Sequence, residues 1–194
     1  MTDYYDTHAD SFVLQTVNVD MTPLYARFLA HLPEKARILD AGCGSGRDAK
    51  AFLNVGHDVV AMDASIEMAR RAAVLIGQPV LHIRFEDIEF SDEFDGIWAS
   101  ASLLHVPRTS MVSVLQRLCK ALKAGGTLYM SFKLGTEERI KDGRLFNDQD
   151  ENSLATAISQ VSGLEILDLW RTVDRRPGRD HEHWLNCIAR QAFE

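Results

Sequence analysis

Three glycines and one acid are closely spaced in residues 40–46, where the chain reads Asp-Ala-Gly-Cys-Gly-Ser-Gly after a short apolar run. Glycine adopts positive φ and lets a ligand approach the backbone, and a helix that starts after such a turn offers free N–H groups to an anion. In an open α/β sheet, ligands bind at the carboxyl ends of the strands. This corner therefore predicts a binding site for a nucleotide-like ligand.

The spacing argues against two common nucleotide sites. A phosphate-binding loop needs Lys and then Ser or Thr after its last glycine, but Arg47 and Asp48 follow here. The dinucleotide pattern GxGxxG needs a glycine at position 47, where this chain has Arg47, which disfavours a nicotinamide-dependent oxidoreductase. A carboxylate at Asp40 would repel a pyrophosphate and suits a ligand that carries an ammonium group.

Two more acids follow the next two apolar runs. Asp63 ends the second run, a placement that suits hydrogen bonds to two ribose hydroxyls. Asp87 follows the third run, where it could accept from an exocyclic amine. A ligand with an amine, a ribose diol, an aminopurine and no phosphates fits S-adenosylmethionine.

The elements that position these residues alternate between strand and helix patterns. Strands are predicted at 36–40, 58–63, 79–85, 94–100, 127–133, 164–171 and 183–190, with helices at 47–55, 65–76 and 109–124 and another near 148–161. Alternation implies a parallel sheet, and the short loop before the last strand implies antiparallel pairing there. We expect one doubly wound, Rossmann-like α/β domain over 1–194, with strand order 3-2-1-4-5-7-6 and helices on both faces. Residues 1–33 would form a helical lid, and 134–148 a polar insert on the substrate side.

Five segments resemble successive motifs of class I S-adenosylmethionine-dependent methyltransferases. They are ILDAGCGSGRDA, VVAMDAS, FEDI, FDGIWASASLLHV and LKAGGTLYMSFK, and they cover about residues 36–133. Within that superfamily, GSGRDA and the layout of the chain are similar to small bacterial methyltransferases of the tellurite-resistance and thiopurine type. The resemblance implies methyl transfer from S-adenosylmethionine to a small-molecule acceptor, with S-adenosylhomocysteine as product.

The resemblance also assigns roles to individual residues. It implies that the methionine end of the donor binds at Asp40, Gly42, Gly44 and Gly46, the ribose at Asp63, and the adenine near Met62, Ala64, Asp87 and Ile88, with Ala99 lining the channel to the acceptor. Candidates on the substrate side are Tyr4, Tyr5, Arg47, Ser102, Arg144 and Trp170. Arg47 has an alternative interpretation as an ion-pair partner of Asp40 or Asp48.

His105 is the candidate catalytic residue, because it is the histidine close to the end of the predicted fourth strand and imidazole suits proton transfer. The alternative is a structural histidine held by a backbone carbonyl. A base is needed only if the acceptor keeps its proton at the working pH, so its use stays open. The chain also lacks the Asn/Asp-Pro-Pro-Tyr and Pro-Cys motifs expected after the fourth strand in enzymes that methylate DNA bases.

The composition of the chain excludes several classes of binding partner. A net charge of −7 argues against sequence-independent binding to nucleic acid. Cys43, Cys119 and Cys187 are too far apart for a disulfide framework or a zinc site, so we expect no metal and a reducing compartment. The acidic, polar start of the chain is unlike a targeting segment, and no apolar run is long enough to span a membrane. We therefore expect a cytoplasmic protein with a small-molecule substrate.

Two other functions stay open at this point. One is a protein that binds S-adenosylmethionine as a sensor without turnover, since no catalytic base is compelling. The other is an RNA or protein methyltransferase whose basic loop at 175–179 contacts an acidic partner. The sequence identifies neither the acceptor nor the methylated atom, and it does not distinguish a monomer from a homodimer.

Overall fold

The computed structural model describes residues 2–176 and 178–193. The strands are β1 (Arg37–Ala41), β2 (Asp58–Asp63), β3 (Leu81–His82), β4 (Phe94–Ala99), β5 (Leu122–Lys133), β6 (Glu138–Lys141), β7 (Arg144–Asn147), β8 (Leu164–Val173) and β9 (His183–Gln191). The helices are α1 (Thr2–Thr16), α2 (Thr22–Leu29), α3 (Arg47–Asn54), α4 (Ile66–Ile76), α5 (Arg108–Ala121) and α6 (Glu151–Ser159). Two single 3₁₀ turns cover Phe85–Asp87 and Leu103–His105.

Seven strands form one sheet in the order β3-β2-β1-β4-β5-β9-β8. The neighbours from β3 to β5 are parallel, whereas β9 is antiparallel to both β5 and β8. The predicted Rossmann-like order and the antiparallel last strand are confirmed. The numbering differs only because a separate two-stranded hairpin, β6–β7, follows β5.

The β6–β7 hairpin lies within residues 134–148, for which the sequence predicts a polar insert. Asp142 and Gly143 join its strands with φ values of 51° and 72°. Positive φ at both central residues is the requirement of a type I′ turn, which Asp-Gly favours. The turn signal was therefore present in the sequence, although the surrounding charges obscured it.

Several predicted boundaries are wrong. The third strand has only two residues because it is an exposed edge and the chain then enters a 3₁₀ turn at Phe85. Helix α5 ends at Ala121, and β5 begins before the Gly125-Gly126 pair instead of after it. Helix α6 begins at Glu151, after a capping box between Asp150 and Ser153, and therefore later than the predicted start near residue 148.

The sheet is covered on both faces by separate hydrophobic clusters. One cluster combines α5 and α6 residues with β4 and β5 residues such as Ile97 and Leu128. The other is aromatic and joins α2 and α3 to the sheet, with the rings of Trp98 and Tyr129 stacked at 3.9 Å. Within the described ranges, no helix is both long and apolar enough to cross a membrane.

Candidate functional site

The glycine corner connects β1 to α3 in a conformation that favours glycine. Gly42, Gly44 and Gly46 have φ values of 82°, 53° and 81°. A Cβ on Gly42 would lie 2.5 Å from Cβ of Ser102, and one on Gly46 would lie 3.0 Å from Ala72. The first two glycines face a large cavity, whereas Gly46 packs against α4. The sequence pattern is thus explained partly by ligand access and partly by close packing.

Asp40 lies behind the cavity wall instead of on it. Only 2% of the residue is exposed, and its Oδ2 accepts a hydrogen bond of 3.0 Å from the backbone N–H of Ala49 in α3. Burial raises the pKa of this carboxyl well above its usual range. The expectation that its charge faces an ammonium group is therefore corrected: Asp40 positions the first turn of α3.

Asp63 occupies the position expected for a ligand at the end of β2. Its Oδ2 accepts from the N–H of Gly44 and its Oδ1 from the N–H of Ser65, both at 2.9 Å. The carboxylate is thereby fixed between the glycine corner and the start of α4, and it lines the cavity. Burial raises its pKa, although the backbone donors oppose that shift.

Arg47 is paired with Asp48, one of the two alternatives considered for it. Its Nε and Nη2 donate to Asp48 at 2.6 and 3.0 Å, and its Nη1 donates to the carbonyl of Thr16 at 3.0 Å. Asp48 also accepts from the Tyr25 hydroxyl and the Trp98 indole. Burial opposes ionisation of Asp48, but Arg47 and these donors outweigh it and lower the pKa. Arg47 lines the cavity while joining the end of α1 to α3.

The cavity has a volume of about 870 Å³ and extends from the glycine corner to the β6–β7 hairpin. Met62 and Ala64 line it, and their contact with adenine stays a prediction. Asp87 is exposed and Ile88 is buried in the core, so neither side chain lies on the wall; Phe85 and Glu86 do. The residues that line the cavity thus precede the predicted pair, because the chain turns at Phe85–Asp87.

The end of β4 contributes a second part of the wall. Ala99 is fully buried behind it, and the lining begins at Ser100 and Ala101. Ala101 has a φ of 51°, an uncommon conformation for a residue with a side chain, which sequence reasoning missed. Ser102 lines the cavity beside Gly42 and donates to the carbonyl of Ala41 at 2.7 Å.

His105 lies on the wall between the N-terminal helix and the hairpin. Its Nδ1 is 2.7 Å from the carbonyl of Leu145 in β7, and its Nε2 is 2.7 Å from the hydroxyl of Tyr5 in α1. A carbonyl only accepts, so Nδ1 carries the proton and Nε2 accepts from Tyr5. Burial lowers the pKa of His105 to about 4, so the ring is neutral near pH 7. His105 is thus held by a backbone carbonyl, as the alternative interpretation describes, and its catalytic role stays a prediction.

The remaining substrate-side candidates fall into two groups. Tyr5 and Arg144 line the cavity, and the guanidinium of Arg144 lies 3.9 Å from the ring centroid of Tyr4, which supports it from outside the wall. Burial raises the pKa of Tyr5, and Arg144 opposes that shift. Trp170 lies off the wall, where it stacks with Arg27 at 4.1 Å. Its large side chain thus serves packing at the edge of the sheet.

Sequence reasoning missed a buried ionic cluster at the far end of the cavity. Lys133 at the end of β5 pairs with Asp174 and Glu182 and lies 4.1 Å from the ring centroid of Trp184. Burial opposes ionisation of Asp174, but Arg176 holds its pKa below the usual range. The position of Lys133 at the carboxyl end of a parallel strand was the available signal. Among the residues described, no group of His, Cys, Asp and Glu could hold a metal ion.

Comparisons with known proteins agree with this geometry. Residues 38–126 match the family model described as a methyltransferase domain. The chain is 30% identical over 184 residues to the ubiquinone biosynthesis O-methyltransferase of Xanthomonas campestris, an alignment that covers 80% of this chain and 76% of that protein. It is 31% identical over 134 residues to a Bacillus subtilis protein named as a methyltransferase, YqeM, of which it spans only 53%.

A solved structure extends the likeness to nearly the whole chain. The 1,6-didemethyltoxoflavin-N1-methyltransferase of Burkholderia thailandensis, solved with 1,6-didemethyltoxoflavin and S-adenosylhomocysteine, superposes with a TM-score of 0.78 at 27% identity. The superposition covers 98% of this chain and 84% of the other. Sheet order, glycine corner and relatives converge, and the protein belongs to the class I S-adenosylmethionine-dependent methyltransferases.

Proposed function

We propose that the protein transfers a methyl group from S-adenosylmethionine to a small-molecule acceptor that binds beside the β6–β7 hairpin. The observation that carries this proposal is one continuous cavity from the glycine corner to the hairpin, with a volume of about 870 Å³. That volume is in the range of small-molecule sites, about 300–1,000 Å³. The 1,6-didemethyltoxoflavin bound in the solved relative and the ubiquinone biosynthesis named for another relative support the same substrate class.

The donor end of the cavity fits an adenosyl ligand. An ionised carboxylate offers about four acceptor positions, and Asp63 uses two of them for backbone N–H groups. The others are available to the two ribose hydroxyls. Gly42 and Gly44 would let the methionine part lie against the backbone, while Met62, Ala64 and Phe85 would enclose the adenine. Glu86 replaces Asp87 as the acid that faces the cavity there.

Bound S-adenosylmethionine supplies a methyl group that is already activated by a positively charged sulfur. The protein must then align the acceptor and exclude water, and alignment contributes up to about 7–11 kcal/mol to such reactions. Helix α1 performs both tasks in this proposal, because Tyr5, Phe12 and Thr16 cover the cavity. Its contacts with α4, through Asp6 to Ser65 and Asp10 to Arg71, hold it there.

Tyr5 and His105 form the proton-accepting pair. The Tyr5 hydroxyl takes the proton of the acceptor while it gives its own proton to Nε2 of His105. Because the pKa of His105 is about 4, this pair is a weak base. It therefore suits an acceptor group that ionises readily, such as a phenol or a thiol, more than an alcohol.

The experiment that tests the function uses S-adenosylmethionine with a labelled methyl group, a panel of phenols, thiols and heteroaromatic amines, and a cell extract. Label in a small product confirms the proposal, and calorimetry with S-adenosylhomocysteine and with NAD(H) checks the ligand class. Tight binding of S-adenosylhomocysteine with no transfer to any acceptor would favour a sensor instead. Binding of NAD(H) alone would contradict the donor assignment.

The basic loop gives little support to an RNA or protein substrate. Arg176 is bound by the buried Asp174, and Arg179 is paired with Glu182 at 3.4 Å. Arg175 pairs with Asp20 at the surface. These charges are largely neutralised within the chain, so a macromolecular acid would have to displace existing pairs. Activity on small acceptors that does not change with salt would argue further against such partners.

A further inference from the structure

One face of the β6–β7 hairpin presents three cations and one aromatic ring to the cavity. In the hairpin register, Arg139 is opposite Phe146 and Lys141 is opposite Arg144. Opposite residues, and residues two apart on one strand, lie on the same face, so these four side chains share a face. All four line the cavity, whereas Ile140 on the other face is 77% exposed.

The two arginines of this face keep buried donors that no described residue uses. Nη1 of Arg139 and Nε of Arg144 are both buried without a hydrogen-bond partner within residues 2–176 and 178–193. Arg139 pairs with Asp148 through Nη2 at 2.8 Å, and Arg144 interacts with the Tyr5 hydroxyl and with the exposed Asp142, the latter at 3.7 Å. Buried guanidinium donors are costly when unpaired, so a missing partner is expected here.

Phe146 holds both guanidinium groups at the cavity. The guanidinium carbons of Arg139 and Arg144 each lie 5.2 Å from the centroid of its ring. Tyr4 of α1 supports Arg144 as well, with the guanidinium carbon 3.9 Å from the centroid of its ring. Stacking on aromatic rings leaves the edge of a guanidinium, which carries its N–H donors, free for an anionic group.

The charges around the cavity are opposite in sign to those of the whole chain. The chain carries 21 Lys and Arg against 28 Asp and Glu. The described residues that line the cavity include nine Arg or Lys and six Asp or Glu. Lys141 and Arg144 are directly opposite each other, an arrangement of like charges that destabilises a hairpin unless an anion lies between them.

We infer that this face binds an anionic group of the methyl acceptor, either a carboxylate or a phosphate. The inference rests on the proposed function and adds the class of substrate. Arg144 and Arg139 donate to the oxygens of that group, Lys141 adds charge at the rim, and Phe146 contacts the apolar part of the acceptor. Arginine forks match the geometry of both groups, so carboxylate and phosphate share one recognition chemistry.

The test measures binding of simple probes by calorimetry with S-adenosylhomocysteine at saturation. The probes are benzoate, phenyl phosphate and the neutral benzamide. We expect at least one anion to bind about tenfold more tightly than benzamide, and the ratio between the two anions identifies the preferred group. Arg144→Gln should weaken anion binding at least about tenfold, and Arg139→Gln should weaken it by a smaller factor.

The matched control is Arg84→Gln, because Arg84 also lines the cavity but is 66% exposed and contacts Glu86 at 3.6 Å. It removes the same charge and should change anion affinity less than about twofold. Arg144→Lys is the second variant, which keeps the charge and should restore only part of the affinity. Thermal unfolding of each variant shows whether it folds.

The outcomes separate the two proposals. Failure of S-adenosylhomocysteine to bind the natural chain would contradict the proposed function. If it binds, the anionic site is wrong when neither anion binds, when benzamide binds equally well, or when Arg144→Gln and Arg144→Lys both leave anion affinity unchanged. Two results together support the anionic site. The affinity of the natural chain for the anion falls when sodium chloride is added, and the Arg144→Gln variant loses that affinity.

Discussion

The Tyr5 hydroxyl donates a hydrogen bond of 2.7 Å to Nε2 of His105, which joins the N-terminal helix to the end of β4. The same imidazole donates from Nδ1 to the carbonyl of Leu145. Three elements that are distant in sequence therefore meet at one neutral ring. Movement of α1 away from the cavity breaks the bond between Tyr5 and His105. The pKa of His105 therefore indicates whether α1 covers the cavity.

Tyr5→Phe should raise the pKa of His105 above its value of about 4. The substitution keeps the ring but removes the donor that stabilises neutral imidazole, so protonation becomes easier. The pKa is measured by NMR titration of the histidine ring with S-adenosylhomocysteine present. Tyr4→Phe is the control, because the Tyr4 ring stacks on Arg144 whereas the hydroxyl that binds His105 belongs to Tyr5. A pKa that stays unchanged in Tyr5→Phe would contradict the assigned tautomer.

Stability should fall between pH 6.5 and pH 4 because of His105. Burial lowers the folded pKa to about 4 from an ordinary 6.5, so the unfolded chain binds a proton first as the pH falls. The contribution is fully present above pH 6.5, and at most about 3 kcal/mol is lost by pH 4. Urea unfolding across this range measures it. His105→Gln should flatten the slope, whereas His82→Gln, at an exposed histidine, should leave it unchanged.

Gly42→Ala should abolish donor binding, whereas Gly77→Ala should not. Both glycines have positive φ, 82° and 74°, so each substitution incurs backbone strain of roughly 1–2 kcal/mol. The new Cβ at position 42 also collides with Ser102, whereas the one at position 77 meets no atom within 4 Å. Of these two glycines, Gly42 lines the cavity and Gly77 does not. Calorimetry with S-adenosylhomocysteine and thermal unfolding separate the two effects. Equal affinity losses in both variants would indicate general strain instead.

Asp63→Asn should weaken binding of S-adenosylhomocysteine by at least about tenfold. The amide replaces one acceptor oxygen by a donor, which then faces the N–H of Gly44 or Ser65. Asp58→Asn at the exposed start of the same strand is the control and should keep the affinity of the natural chain. Calorimetry gives both constants. Unchanged affinity in Asp63→Asn would show that this carboxylate does not bind the ribose.

The order of the sheet and the glycine corner were predictable because their signals are local. Alternating strand and helix patterns define crossover connections, and such connections leave few possible topologies. The positive φ values of Gly42 and Gly44 follow directly from residue type and position. The short third strand and the displaced start of β5 were not predictable, because edge exposure and register depend on neighbouring strands.

The site residues that sequence reasoning misplaced depend on tertiary burial. Asp40 ends a strand like Asp63, yet its side chain points behind the wall toward α3. Asp87 and Glu86 are adjacent acids, and only the 3₁₀ turn decides which faces the cavity. The contact between Tyr5 and His105 spans 100 residues, a separation at which no short motif carries information.

The β6–β7 hairpin has a consequence for how such a chain can diversify. Among the described residues its strands pair only with each other, and it leaves and rejoins the sheet near the Leu134–Gln149 bridge. His105 contacts it through the carbonyl of Leu145 and through the ring of Phe146, whose centroid lies 5.2 Å from that of the imidazole. Side chains of the hairpin other than Arg144 and Phe146 can therefore be exchanged without altering the glycine corner or the surroundings of His105. Under the proposed function the hairpin selects the acceptor, so grafting hairpins between relatives is a practical route to new methylation substrates.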